Sequence, residues 1–522
     1  MSFEVKCSDL AGRIGKLDTA HGILETPAFI PVVHPVRQTI SPQFLKNLGF
    51  NGLITNAYTT LKYYGDDART KGIHAILNYD GVIMTDSGGY QILEYGAIDA
   101  EPRDISQFER DIGSDISVPL DKPTGYGLKY EKAKNYVEET LANAKNILDG
   151  VEGKEVGSKE REQNYGSTIW VGPVQGAEHL DLVRYCANVL DKMGFPVLAI
   201  GSPVEVMEMY EFSILAQMIA AVKRTVPTKP IHLFGAGHPL TIPLAVSLGC
   251  DMFDSASYML YAKDDRYMHT NGTVKLENLS YLSCQCPVCC SHTIKEFRQM
   301  IKVDRVEEIA KHNLYVLRAE VSTVKQAIVE GRLWEYVMLK ARAHPKLRKA
   351  MDLFRNFEFL EDGTPLFKDK ALFLFEPIDQ YRPEAIRFRR VVSMFRPVVK
   401  KNLVLYPITQ LQPFYSTRDF VQLVKKFPDA QICAYNQFLG LIPAEICDIF
   451  PAAHHLSLAT RHQSKDYPSF IESLNSFLAQ NTFENITIIA DDFMHDLIYN
   501  NTYKYKLNAK VLDYKEGLVF EL

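Results

Sequence analysis

Eight apolar, strand-like runs recur across the first 260 residues of this 522-residue chain, and stretches long enough for crossover helices separate them. The pattern predicts strands over 28–33, 52–56, 81–86, 116–121, 168–175, 196–201, 231–235 and 252–254, with helices such as 129–148 and 204–226 between them. Alternating strand and helix favours a parallel sheet covered by helices. Eight such units in about 260 residues predict a closed α/β architecture, the (β/α)8 TIM barrel, rather than an open sheet.

The ends of these runs carry a second pattern. They fall on Asn56, Asp86, Asp121, Gln175, Gly201, Gly235 and Asp254. In a parallel barrel the carboxyl ends of all strands share one face, so residues spread over 200 positions would meet in one polar pocket. The third run is the most suggestive. After Gly81-Val82-Ile83-Met84 the chain reads Thr85-Asp86-Ser87-Gly88-Gly89-Tyr90-Gln91. A carboxylate at a strand mouth can handle a proton, and Tyr90 can stack on a flat heterocycle. Taken alone, Asp86 could equally cap a following helix.

With 46% apolar and 23% charged residues the composition is that of a globular protein. No run of about 18 apolar residues is present, and Met1–Lys6 lacks a signal-peptide core, which together predict a cytoplasmic protein without a membrane partner. The net charge of −5 argues against a uniformly basic nucleic-acid binder. Its distribution is uneven. Residues 339–402 hold 15 Lys and Arg against 8 Asp and Glu. Within them Arg387, Arg389, Arg390, Lys400 and Lys401 form the densest cationic stretch, a candidate polyanion contact or simply a solvated surface.

The barrel pattern ends near residues 343–345. This predicts a catalytic domain over 1–345 and a smaller α+β region over 346–522, of one or two small domains, with strands at 403–406, 431–434 and 486–490 and a helix at 469–480. Residues 150–166 read as an exposed insertion before the fifth strand.

Nine cysteines are present, four of them packed into Cys284-Gln-Cys286-Pro-Val-Cys289-Cys290. That is a metal knuckle rather than a disulfide framework. Cys284, Cys286 and Cys289 with His312, on a helical stretch at 303–329, make a four-ligand set for one structural Zn2+. Cys290 and His292 are rival ligands.

These motifs together resemble the tRNA-guanine transglycosylases. The resemblance rests on Thr85–Gln91, on Gly172-Pro-Val-Gln175-Gly176, on Asp251-Met-Phe-Asp254-Ser255 and on the Cys284, Cys286, Cys289, His312 set, and it covers roughly residues 1–345. The stretch Ser255-Ala-Ser-Tyr-Met-Leu-Tyr-Ala-Lys-Asp-Asp-Arg-Tyr267 is similar to the archaeal, archaeosine-pathway members. The resemblance implies exchange of guanine 15 of the tRNA D-arm for 7-cyano-7-deazaguanine. It implies Asp254 as nucleophile, Asp86 as acid/base, and Asp121, Gln175, Tyr90 and the Val197–Gly201 backbone as the base-binding wall. A non-catalytic, tRNA-binding paralogue is the alternative, although such chains tend to lose the nucleophile. The resemblance also implies a homodimer. Archaeal members commonly end in a PUA domain. Residues 504–522 are too short for a complete one, which predicts a separate PUA-bearing chain or a tRNA held without it.

Overall fold

The computed structural model describes residues 3–88, 102–152, 168–396, 400–408, 413–457, 466–499 and 509–515, with the side chains of 148–152 aside. Tyr90, most of the expected insertion and most of 504–522 lie outside these residues. The chain divides into two units. One holds Met1–Val329 and Tyr336–Leu353; the other holds Glu330–Glu335 and Phe354–Leu522.

The first unit opens with a three-stranded antiparallel sheet, β1 (Phe3–Asp9), β2 (Gly12–Thr19) and β3 (Gly22–Thr26). The eight barrel strands follow: β4 (Ala28–Pro31), β5 (Gly52–Asn56), β6 (Val82–Asp86), β7 (Ile116–Ser117), β8 (Ile169–Val174), β9 (Val197–Ile200), β10 (Ile231–Leu233) and β11 (Met252–Ser255). They pair in parallel in the order β4-β11-β10-β9-β8-β7-β6-β5. Closure comes from a parallel bridge between Val32 and Ile54 and from the Val33 amide donating to the Ile54 carbonyl at 2.8 Å. The TIM barrel expected from the alternation is therefore what forms. One strand is cut short. The fourth run was expected to reach Asp121 but leaves the ladder after Ser117, because Pro119 has no N–H to donate.

Alternate residues of each strand fill the barrel. Ala28, Ile30, Ile54, Val82, Met84, Ile116, Ile169, Val171, Val197, Ala199 and Met252 form one buried cluster. The same period of two carries Asn56, Asp86, Gln175 and Asp254 inward, one layer above these apolar side chains. A barrel this fully plugged leaves room for chemistry only at its carboxyl rim.

After β11 come the hairpin β12 (Arg266–His269) and β13 (Gly272–Lys275), the cysteine knuckle, and the long helix Lys302–Val329. The second unit contains the pair β14 (Leu372–Leu374) and β18 (His455–Ser457) and a five-stranded sheet. That sheet has β15 (Asn402–Pro407), β16 (Ala430–Asn436), β17 (Gly440–Pro443), β19 (Asn485–Ala490) and β20 (Ala509–Asp513) in the order β17-β16-β15-β19-β20. Its pairs are parallel except for β17 against β16, so an α/β layer forms within the appendage.

Candidate active site and metal centre

Asp86 and Asn56 are register partners at the ends of β6 and β5, and Asn56 Nδ2 donates to Asp86 Oδ2 at 3.3 Å. Gly88 follows with φ of +104°, a conformation open to glycine, and its N–H turns back onto the same carboxylate. The Asp86 carboxyl is pushed up to about 7, first by burial and then by the negative charges of Asp121 and Asp254. The charges of Asp121 and Asp254 thus reach Asp86, which places the three strand-end carboxylates near one another at the carboxyl end of the barrel. Asp121 is itself pushed up to about 6 by burial.

Asp254 lies one residue before the end of β11, in a different setting. His232 Nε2 donates to its Oδ1 at 2.8 Å and the Gly235 N–H to the same oxygen at 3.2 Å. Among the described residues Oδ2 has no hydrogen-bond partner. One oxygen is thus anchored while the other is left for a reaction partner. His232 is fully buried and lies in register with Ala199 and Met252 on the inward face of β10. It rises from the apolar layer to hold the carboxylate from below. Sequence reasoning passed over this residue. Its signal was a polar side chain at an inward position of the apolar run Ile231-His232-Leu233.

Gln175 is also orienting a carboxylate. Its Nε2 donates to Asp121 Oδ2 at 2.5 Å, and its Oε1 accepts from the Thr124 amide and hydroxyl, both at 3.0 Å, and from Ser202 Oγ at 2.8 Å. Gly201 makes this possible, because a Cβ there would collide with the Gln175 amide. Val197 lies at the start of β9, buried in the apolar layer, and is not brought to the rim. Behind β6, Thr85 Oγ1 donates to the buried Glu109 Oε1 at 2.8 Å. Burial, only partly offset by the Thr85 hydrogen bond, holds Glu109 well above the usual carboxylate range.

The four candidate metal ligands also converge. One ligand atom each from Cys284, Cys286, Cys289 and His312 lie within 4.8 Å of one another. His312 Nε2 donates to the Met268 carbonyl at 2.7 Å, which points Nδ1 at the sulfurs of Cys289 (3.3 Å) and Cys286 (3.5 Å). Tyr267 stacks on the imidazole at 3.7 Å and its hydroxyl reaches Cys289 Sγ at 3.3 Å. Hydrogen bonds from the neighbouring thiols hold Cys284 well below the usual thiol range. Of the rivals, Cys290 is exposed, and His292 Nδ1 is turned to the Val288 carbonyl at 2.9 Å.

The cationic stretch lies in the second unit, and much of it is engaged there. Arg387 donates to the carbonyls of Thr364, Pro365 and Glu361, and Arg389 to those of Phe438 and Gln380. Lys400 donates to Ala430 O at 3.0 Å. Arg390 and Lys401 pair with Glu361 and Glu484 but stay 59% and 73% exposed.

Among the described residues no helix is long and apolar enough to cross a membrane. A family model described as queuine tRNA-ribosyltransferase matches residues 7–346, the barrel and knuckle together. Two archaeal relatives are named tRNA-guanine(15) transglycosylase. That of Sulfolobus acidocaldarius is 39% identical over 93% of this chain and 95% of its own length. That of Methanosarcina mazei is 37% identical over 97% of both chains. The chain belongs to the queuine tRNA-ribosyltransferase family, the tRNA-guanine transglycosylases, which are pentosyltransferases.

Proposed function

We propose that the chain exchanges guanine 15 of the tRNA D-arm for 7-cyano-7-deazaguanine by two displacements at the ribose C1′. The observation that carries this reading is the contrast between two neighbouring carboxylates. Among the described residues Asp254 presents one oxygen without a hydrogen-bond partner, while Asp86 is poised near neutrality by burial and by Asp121 and Asp254. That division of labour suits a nucleophile and a general acid/base.

In the first step Asp254 Oδ2 bonds to C1′ and the C1′–N9 bond breaks. Its electron pair leaves with guanine, which takes a proton from Asp86. In the second step N9 of the incoming base attacks C1′ and gives its proton back to Asp86. The bond from C1′ to Asp254 breaks and the carboxylate is restored. No outside energy source is needed, as in retaining glycosidases. Asp121 meets the N–H groups of the base edge, with Gln175 holding it in place, and Tyr90 stacks on a base drawn out of the tRNA. Incubation with tRNA in the absence of free base should leave a protein–RNA adduct that survives denaturation. Its absence would overturn the double-displacement scheme.

We propose Zn2+ as the ion of the Cys284, Cys286, Cys289 and His312 set, because three thiols and an imidazole satisfy its tetrahedral preference. With every position taken by protein, the ion would act as a structural cross-link between the knuckle and the long helix, with β12 packed on the His312 ring through Tyr267 and the Met268 carbonyl. Such sites contribute an apparent binding free energy on the order of 10 kcal/mol. Chelation is expected to accelerate amide hydrogen exchange across 266–300 while the barrel strands stay protected. Unchanged exchange there would show that no ion cross-links the region.

For the tRNA contact we propose Lys401 and Arg390 before Arg387, Arg389 and Lys400, since they remain exposed. Each phosphate contact removed lowers the slope of log K against log salt by about 0.7–0.9. Replacing Lys401 and Arg390 by glutamine should therefore flatten the slope by roughly one to two units if both meet phosphates. An unchanged slope would place them in solvent.

A further inference from the structure

A second cluster of ligating side chains stands at the opposite end of the barrel from Asp86 and Asp254. Asp115 immediately precedes β7, His74 lies on the helix Ile73–Leu77, and His21 lies in the turn between β2 and β3. One atom from each falls within a 4.8 Å span. His21 Nδ1 is 2.8 Å from Asp115 Oδ1, and His74 Nε2 is 3.1 Å from Asp115 Oδ2 and 3.2 Å from the Gly81 carbonyl oxygen. The two imidazoles lie face to face, with centroids 3.7 Å apart and planes 30° apart. The carboxylate is also oriented by protein, since the amides of Ile83 and His21 donate to it at 2.8 and 3.0 Å. Although burial pushes Asp115 up, hydrogen bonds from His74, the Ile83 amide and His21 hold it below the usual carboxylate range.

We propose that His21, His74 and Asp115 bind a borderline divalent transition-metal ion, with the Gly81 carbonyl beside it and an open position toward solvent. Four observations carry the assignment. The donors are two imidazoles and a carboxylate, the set that suits Zn2+, Ni2+ or Fe2+. The nitrogens and oxygens stand about 3 Å apart, close to the separation of neighbouring ligands on an ion with bonds of about 2.0–2.2 Å. His74 Nε2 faces two oxygens at nearly equal distances, much as His312 Nδ1 faces two sulfurs in the cysteine cluster. The carboxylate is fully buried and held by backbone amides, while the His21 side chain is 44% exposed, so an ion has a path in. The ion would displace the protons from His21 Nδ1 and His74 Nε2 and pin the β2–β3 turn to the floor of the barrel.

Equilibrium dialysis of the full chain against micromolar Zn2+, followed by metal analysis, tests this. The wild-type chain should hold one more ion than His21→Ala and one more than His74→Ala, whose folding is verified by melting. Co2+ separates the two centres. The cysteine cluster gives sulfur-to-metal charge transfer, whereas the histidine site adds weak nitrogen/oxygen absorption that both variants should lose. Equal metal content and equal Co2+ spectra in wild type and both variants would overturn the site. Because the sulfur band is read separately, its presence or absence bears only on the cysteine cluster.

Discussion

Replacing Asp254 by alanine should abolish base exchange, with a loss on the order of 10⁴-fold or more, because no second group can form the ribosyl bond. The denaturation-resistant adduct should vanish with it. Binding of tRNA should persist, since Asp254 contributes one side chain to a contact governed by the RNA backbone. Asp254 Oδ1 is the partner of His232 Nε2, and the buried His232 Nδ1 has none among the described residues, so the alanine variant should lose some stability. A melting curve showing the variant folded at the assay temperature lets the lost rate be assigned to chemistry. An Asp254→Ala chain with wild-type exchange would remove the nucleophile assignment.

Asp86→Asn should lower the exchange rate by about 10²–10⁴, the range of a positioned general acid/base. The pH profile carries a second signature. With its carboxyl pushed up to about 7, Asp86 is mostly protonated below that pH and mostly ionised above it. Departure of guanine needs the protonated form and capture of the incoming base needs the ionised one, so the wild-type profile should bend near 7. The Asn variant should lose that bend. The raised value also has a stability consequence. The folded chain holds a proton that the unfolded chain releases near pH 4, so this contribution to stability is present at low pH and lost as pH rises toward 7. Asp86→Asn, which cannot ionise, should gain stability relative to wild type over that window. A variant altered only in tRNA affinity would make Asp86 a binding residue.

The barrel was legible because its strands are buried on both faces. They read as continuous apolar runs, and each run had to end where the chain met the polar rim. Asp86, Asp121, Gln175 and Asp254 followed from that one regularity. The knuckle was legible because four cysteines within seven residues follow the spacing of a metal site rather than of a disulfide framework. What escaped depends on neighbours distant in sequence. The role of His232 follows from the alignment of β10 beside β11, which no local pattern announces. Gln175 was expected to read the base, but its amide is occupied by Thr124, Ser202 and Asp121. Val197 begins the strand that Gly201 follows, yet it sits in the apolar layer. The opening antiparallel sheet was not foreseen, because β1 is a largely exposed strand of mixed polarity. In the cationic stretch, Arg387 and Arg389 look free in sequence and are claimed by backbone carbonyls in the fold. Even Arg382, five residues earlier, is buried against Glu335 and Glu384.

The most direct test is mass analysis of tRNA after incubation with this chain and 7-cyano-7-deazaguanine, with the RNA digested and position 15 located. The nucleoside at position 15 should be heavier by two carbon atoms, and guanine should be released. An RNA that is bound but keeps its original mass at position 15 would contradict the proposed exchange.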